Sequence, residues 1–95
     1  MMTVRVARET RAAMDRGLVL KTLLPGGQLT VDVLSASAGV RPRRVRRAVE
    51  TLHDWGMLRV ARHGTAWEIT SRGRGYAATS IGRASMDVPG MAVAG

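Results

Sequence analysis

Arg41, Arg43, Arg44, Arg46 and Arg47 crowd one stretch, Gly39-Val-Arg-Pro-Arg-Arg-Val-Arg-Arg-Ala-Val-Glu-Thr-Leu-His-Asp-Trp-Gly56. Their chemistry is anion binding: each guanidinium is a permanent cation with a fork of donors that fits phosphate. The stretch reads as a helix over 42–55. Pro42 suits its first position, where a missing N–H costs nothing, and Gly56 suits the left-handed residue after the last turn. Val45, Ala48, Val49, Leu52 and Trp55 recur on one face of a 3.6-residue period and are expected in the core. Arg43, Arg47, Glu50 and Asp54 project to the opposite face, with Arg44 and Arg46 on its flanks.

This arrangement is poor for helix stability. A helix N-terminus carries partial positive charge and favours acids, whereas the C-terminus favours bases. Here the arginines gather at the N-terminus, and Glu50 and Asp54 lie toward the other end. Arg41 stands where Ser, Thr, Asp or Asn would cap. A coding bias toward arginine explains the number of arginines and leaves their placement unexplained. Phosphates of a nucleic acid, brought to that end, would relieve both faults.

Other chemistries find little support. The chain has no cysteine, which removes disulfides and thiolates. His53 and His63 lack a third ligand at metal-binding spacing, so no metal site is expected. Ser35 and Ser37 have no base at a distance that would activate them. Paired carboxylates and glycine-rich phosphate loops are missing, and nothing points to an enzyme, a cofactor or a small-molecule effector. Trp55 and Trp67 could serve as base-stacking platforms, but their phases place both in the core.

Ninety-five residues suit one small domain, and the net charge of +8 points to a polyanionic partner. No apolar run approaches the ~20 residues that a membrane span needs, and no signal peptide is visible. The expectation is a cytoplasmic, nucleoid-associated protein. Residues 1–9 read as a basic arm or a helix extension. A first helix follows up to Leu24, with Ala13, Val19 or Leu20, Leu23 and Leu24 inward and a suspected break at Gly17; Pro25-Gly26-Gly27 ends it.

Gln28-Leu29 allows a short extended piece, after which Thr30 caps a second helix over 31–38. Val33 and Leu34 are expected inward there, and Gly39 closes the helix in a tight turn. After Gly56 the period falls to two. Residues 57–62 and 66–70 read as two strands, with Leu58, Val60, Trp67 and Ile69 on the inner face and Arg59 and Glu68 outside. Arg62-His63-Gly64-Thr65 forms the hairpin tip. Thr70 or Ser71 caps a last helix that buries Tyr76 and Ala77 or Ile81, and residues 82–95 read as a flexible tail of small residues.

The order of helix, short extended piece, helix, tight turn, helix and two-stranded ribbon resembles the winged helix-turn-helix domain of prokaryotic and phage transcription regulators, over roughly residues 10–78 of a domain expected to span 10–81. The pattern that carries the resemblance is Leu29-Thr30-x-x-x-Leu34-x-x-x-Ala38-Gly39-Val40-x-Pro42-x-x-Val45-x-x-x-Val49-x-x-Leu52-x-x-x-Gly56-x-Leu58. Ile69-Thr70-Ser71-Arg72-Gly73-Arg74 is similar to the stretch that follows the wing in regulators of the MarR and PadR type. The resemblance implies an α+β fold with a three-helix core, a two-stranded β-wing and a C-terminal helix. Arg41 departs from the pattern, since Ser, Thr or Asp is usual there.

The resemblance also implies sequence-specific binding of double-stranded DNA, with helix 42–55 in the major groove. Arg43 and Arg47 would face base edges, Arg44 and Arg46 base or backbone, and Arg41 a phosphate. The wing, 59–67, would place Arg62, His63 and Gly64 on the backbone or in a minor groove. Arg59 is equally suited to pairing with Glu68 across the ribbon. A homodimer is expected from the size of the module, paired through the first and last helices, as a repressor that occupies its site. Two further readings share this surface: an architectural, replication or partition protein with little sequence preference, and a protein-interaction module for an acidic partner.

Overall fold

The computed structural model describes residues 2–61 and 64–87. Helix α1, Met2–Leu23, is continuous, and the expected break at Gly17 does not occur. Helix propensity alone argues for weakness at Gly17. Packing supplies the opposing reason for a glycine: the backbone of the C-terminal helix passes so close that a Cβ at Gly17 would run into the Ser85 carbonyl. The inward stripe of α1 runs through Ala12, Asp15, Val19 and Leu23, so Ala13, a quarter-turn away, is exposed rather than buried.

Strand β1, Leu29–Thr30, leads directly into α2, Val31–Ala38. The Thr30 hydroxyl accepts the Val33 N–H at 3.3 Å, capping α2 as its position in the sequence suggested. Only Leu34 of α2 is fully buried, and Val33, expected inward, is 45% exposed because a short helix presents a narrow inner stripe. Gly39 ends α2 at φ 69°, a left-handed conformation that a side chain would strain. Its N–H donates to Ser35 O, and the Ser35 hydroxyl donates to Val40 O at 2.5 Å. These bonds fix the turn into α3, Pro42–Asp54.

Val45, Ala48, Val49 and Leu52 of α3 are buried, as the periodicity predicts. Trp55 is not: it lies beyond the last turn, 47% exposed, with the Arg16 guanidinium 5.0 Å from its ring centroid. Strands β2, Leu58–Val60, and β3, Ala66–Ile69, pair antiparallel with Leu58 opposite Ile69 and Arg59 opposite Glu68. The ribbon gains a third strand, since β1 pairs with β3 and places Leu29 opposite Trp67. The sheet order is therefore β1-β3-β2 rather than two-stranded. Leu58 and Ile69 enter the core and Trp67 packs against it, but Val60 lies past the core's edge and is exposed.

Two short helices end the described chain, α4, Ser71–Ala78, and α5, Ser80–Met86. Thr70 caps α4 by accepting from Gly73 N, and Thr79, in extended backbone, caps α5 by accepting from Gly82 N. The expected single helix is thus broken at Thr79, and residues 82–86, read as tail, are helical. Gly82 presses against the Tyr76 carbonyl, Met86 joins the core, and α5 lies across α1. Ala77 is buried and Tyr76 packs against the core, whereas Ile81 points outward at 72% exposure. The rest of the expected tail, 88–95, lies outside the described residues.

Among the described residues the fold is α+β: five helices and a small three-stranded antiparallel sheet around one core. No described helix is long and apolar enough to cross a membrane. A pair of glycine substitutions separates packing from propensity. Gly17→Ala should destabilise by about 1–3 kcal/mol through overpacking against α5. Gly75→Ala, in α4 with open space around it, should stabilise by about 0.5–1 kcal/mol. Urea unfolding midpoints of the two variants against the parent measure both.

Candidate nucleic-acid interface

The N-terminus of α3 carries no acidic residue in its first turn, and no side chain caps it. Arg41 occupies the cap position in extended backbone, and its carbonyl accepts the N–H groups of Arg44 and Val45, each at 3.0 Å. Arg41, Arg43, Arg46 and Arg47 are exposed, and none is in an ion pair among the described residues. Four unpaired guanidiniums therefore stand at or near the positive end of a helix.

Arg44 has a different role from its neighbours. Its Nε donates to Asp15 Oδ2 at 2.9 Å and its Nη2 to Asp15 Oδ1 at 2.6 Å. Asp15 lies on the inward stripe of α1 and is only 5% exposed. Its hydrogen bond holds the Arg44 proton more firmly than in free arginine, outweighing the opposing effect of burial. Both carboxylate oxygens and two guanidinium nitrogens are thereby engaged, a bidentate geometry stronger than a single charged contact. Arg44 pins α3 to α1. The expectation of a base or backbone contact for Arg44 competes with this bond.

The hairpin docks beside the C-terminal half of α3, where His53 meets the Trp67 ring edge-on, with centroids 5.7 Å apart. Of the two roles open to Arg59, the structure shows the cross-strand pair: Nε donates to Glu68 Oε1 at 2.6 Å. The Gln28 amide, just before β1, donates to the other oxygen of Glu68 at 3.4 Å, so one carboxylate holds both β2 and the lead into β1. The Arg59 hydrogen bond, then that of Gln28, holds Glu68 below the usual carboxylate range. Gly64 turns the tip at φ 89°, exposed, with its N–H on Ala61 O. Arg62 and His63 lie outside the described residues.

The structure thus brings Arg41, Arg43, Arg46 and Arg47 to one end of one helix and the Gly64 turn to the ribbon beside that helix. Asp15 belongs to this surface and was not singled out by its sequence context. The signal was present: Asp15 is an acid on the inward stripe of a predominantly basic helix, whose other acid, Glu9, is exposed, and a buried carboxylate requires a partner. Among the described residues no group of three His, Asp or Glu side chains could hold a metal ion. Searches against family models, curated proteins and solved structures find no significant match to this chain.

Asp15→Asn should release Arg44 and expose what the pair contributes. We expect a loss of about 1–3 kcal/mol in stability, since a charged hydrogen bond is broken. The freed guanidinium should add about one unit to the salt slope of binding to random duplex. Chemical denaturation and fluorescence anisotropy at several salt concentrations measure the two effects.

Proposed function

We propose that this chain is a winged helix-turn-helix protein that binds double-stranded DNA sequence-specifically and acts as a small transcription regulator. The observation that carries the proposal is the bare, arginine-rich N-terminus of α3. That end lacks an acid and a cap and exposes Arg41, Arg43, Arg46 and Arg47, an arrangement that disfavours the isolated helix and favours a bound polyanion.

In this reading α2 and the Gly39 turn set α3 into the major groove, and Arg43 and Arg47 read base edges. Bidentate contact of arginine with guanine O6 and N7 discriminates by ~1–3 kcal/mol per pair. Arg41 and Arg46 take phosphates, and the hairpin, with Arg62, His63 and Gly64 at its tip, follows the backbone or a minor groove. Arg44 acts by holding α3 against Asp15. A homodimer formed through α1 and the C-terminal helices would double the contacted length and address two half-sites. Repression by occupancy is the simplest regulatory consequence.

Selection of bound sequences from random duplex DNA tests the reading. An enriched, roughly palindromic motif that binds far more tightly than scrambled duplex supports it. Tight, motif-free binding would replace it with a low-specificity architectural role, and absence of binding at moderate salt would refute DNA as the ligand. On the selected site, Arg47→Ala should cost ~1–3 kcal/mol and relax the preference at one base position. A uniform loss across sequences, with a smaller salt slope, would reassign Arg47 to a phosphate.

A further inference from the structure

Helices α1 and α3 do not close fully on one another. Along α1, Arg8, Arg11, Ala12, Asp15 and Arg16 turn toward α3; along α3, Arg44, Arg47, Ala48 and Thr51 turn toward α1. Both rows follow the i, i+3, i+4, i+7 spacing of one helical stripe. The small side chains of Ala12 and Ala48 fall in the middle of the rows and leave a cleft of about 300 Å³ between them. That volume lies at the lower end of the range of small-ligand sites, roughly 300–1,000 Å³.

The cleft is strongly one-signed. Among the described residues, five arginines and a single aspartate border it, and Asp15 already gives both oxygens to Arg44. Arg8, Arg11, Arg16 and Arg47 are in no ion pair among the described residues. Among the described residues no aromatic ring lines the cleft, so its lining favours charge over stacking. The Asp15–Arg44 pair fixes one part of the wall, and Thr51 adds a hydroxyl. Cations gathered around a cleft with low-dielectric walls focus its field on an anion.

We propose that the α1–α3 cleft is a phosphate-binding site, open to a doubly charged phosphate ester or a pyrophosphate group. It shares Arg47 with the DNA-facing surface of α3. The first half rests on the cleft alone; the second rests on the DNA-binding reading. Two sources supply this chemistry, a small phosphorylated ligand and a backbone phosphate of DNA bound over α3.

The test uses the full chain and inorganic pyrophosphate, titrated at constant ionic strength and followed by the amide NMR signals of Ala12 and Ala48. Saturable shifts at these residues are expected. Arg11→Gln should weaken binding by about tenfold, the effect of one charge-assisted hydrogen bond. Arg83→Gln, an equal loss of charge on α5, should leave it unchanged. Ala12→Leu, which fills the cleft and keeps every arginine, should abolish binding. Shifts that never saturate, equal losses in Arg11→Gln and Arg83→Gln, or full binding by Ala12→Leu would each overturn the proposal. A short duplex then separates the sources. Displacement of pyrophosphate by duplex assigns the site to a backbone phosphate or to competition through Arg47; simultaneous binding assigns it to a separate small ligand. If pyrophosphate binds and no duplex does, the cleft site stands and the DNA-binding reading falls.

Discussion

Positive charge at the positive end of α3 is the constraint to which the surrounding structure responds. The helix dipole, the missing cap and the exposed guanidiniums all act in the same direction there. The described protein supplies one answer, Asp15, whose carboxylate is buried in α1 and committed to Arg44. That bidentate pair does two things. It removes one arginine from the cluster and anchors α3 to the longest described helix. Arg41, Arg43, Arg46 and Arg47 have no ion-pair partner among the described residues, which is why an external anion enters the functional reading.

The rest of the fold holds α3 in place from its other sides. Gly39 permits the abrupt turn from α2, and the Ser35–Val40 bond locks it. At the far end, His53 and Trp67 join α3 to the sheet, while Arg16 covers Trp55 from α1. Helix α5 closes the back of α1, where Gly17 lets the two backbones approach, and Gly82 lets α5 approach the end of α4 in the same way. A small domain has little core to spare, and Met86 contributes to it from the last described turn.

Local signals made much of this architecture legible. Thr30, Gly39, Pro42, Gly56 and Thr70 mark element ends through capping and backbone geometry, which depend on neighbours in sequence. The buried stripe of α3 follows from its period alone. The misreadings concern what only distant packing decides. Gly17 resembles a helix break until α5 is seen against it, and 82–86 resemble a tail until Gly82 and Met86 are seen in contact. Trp55, Val33, Val60 and Ile81 have plausible inward phases but lie beyond the edge of a core too small to cover them. Arg44 shares its context with four other arginines, and only the fold places Asp15 before it.

The link between charge placement and ligand binding is tested most directly by Arg43→Glu, which puts an acid at the second position of α3 and removes one exposed cation. The unfolding free energy of the free protein and its affinity for duplex DNA should be measured on the same preparation. If the arginines are retained for an anion at a cost to the helix, the variant is more stable by about 0.3–1 kcal/mol and binds duplex much more weakly. A variant that is no more stable and binds duplex as well as the parent would contradict that account.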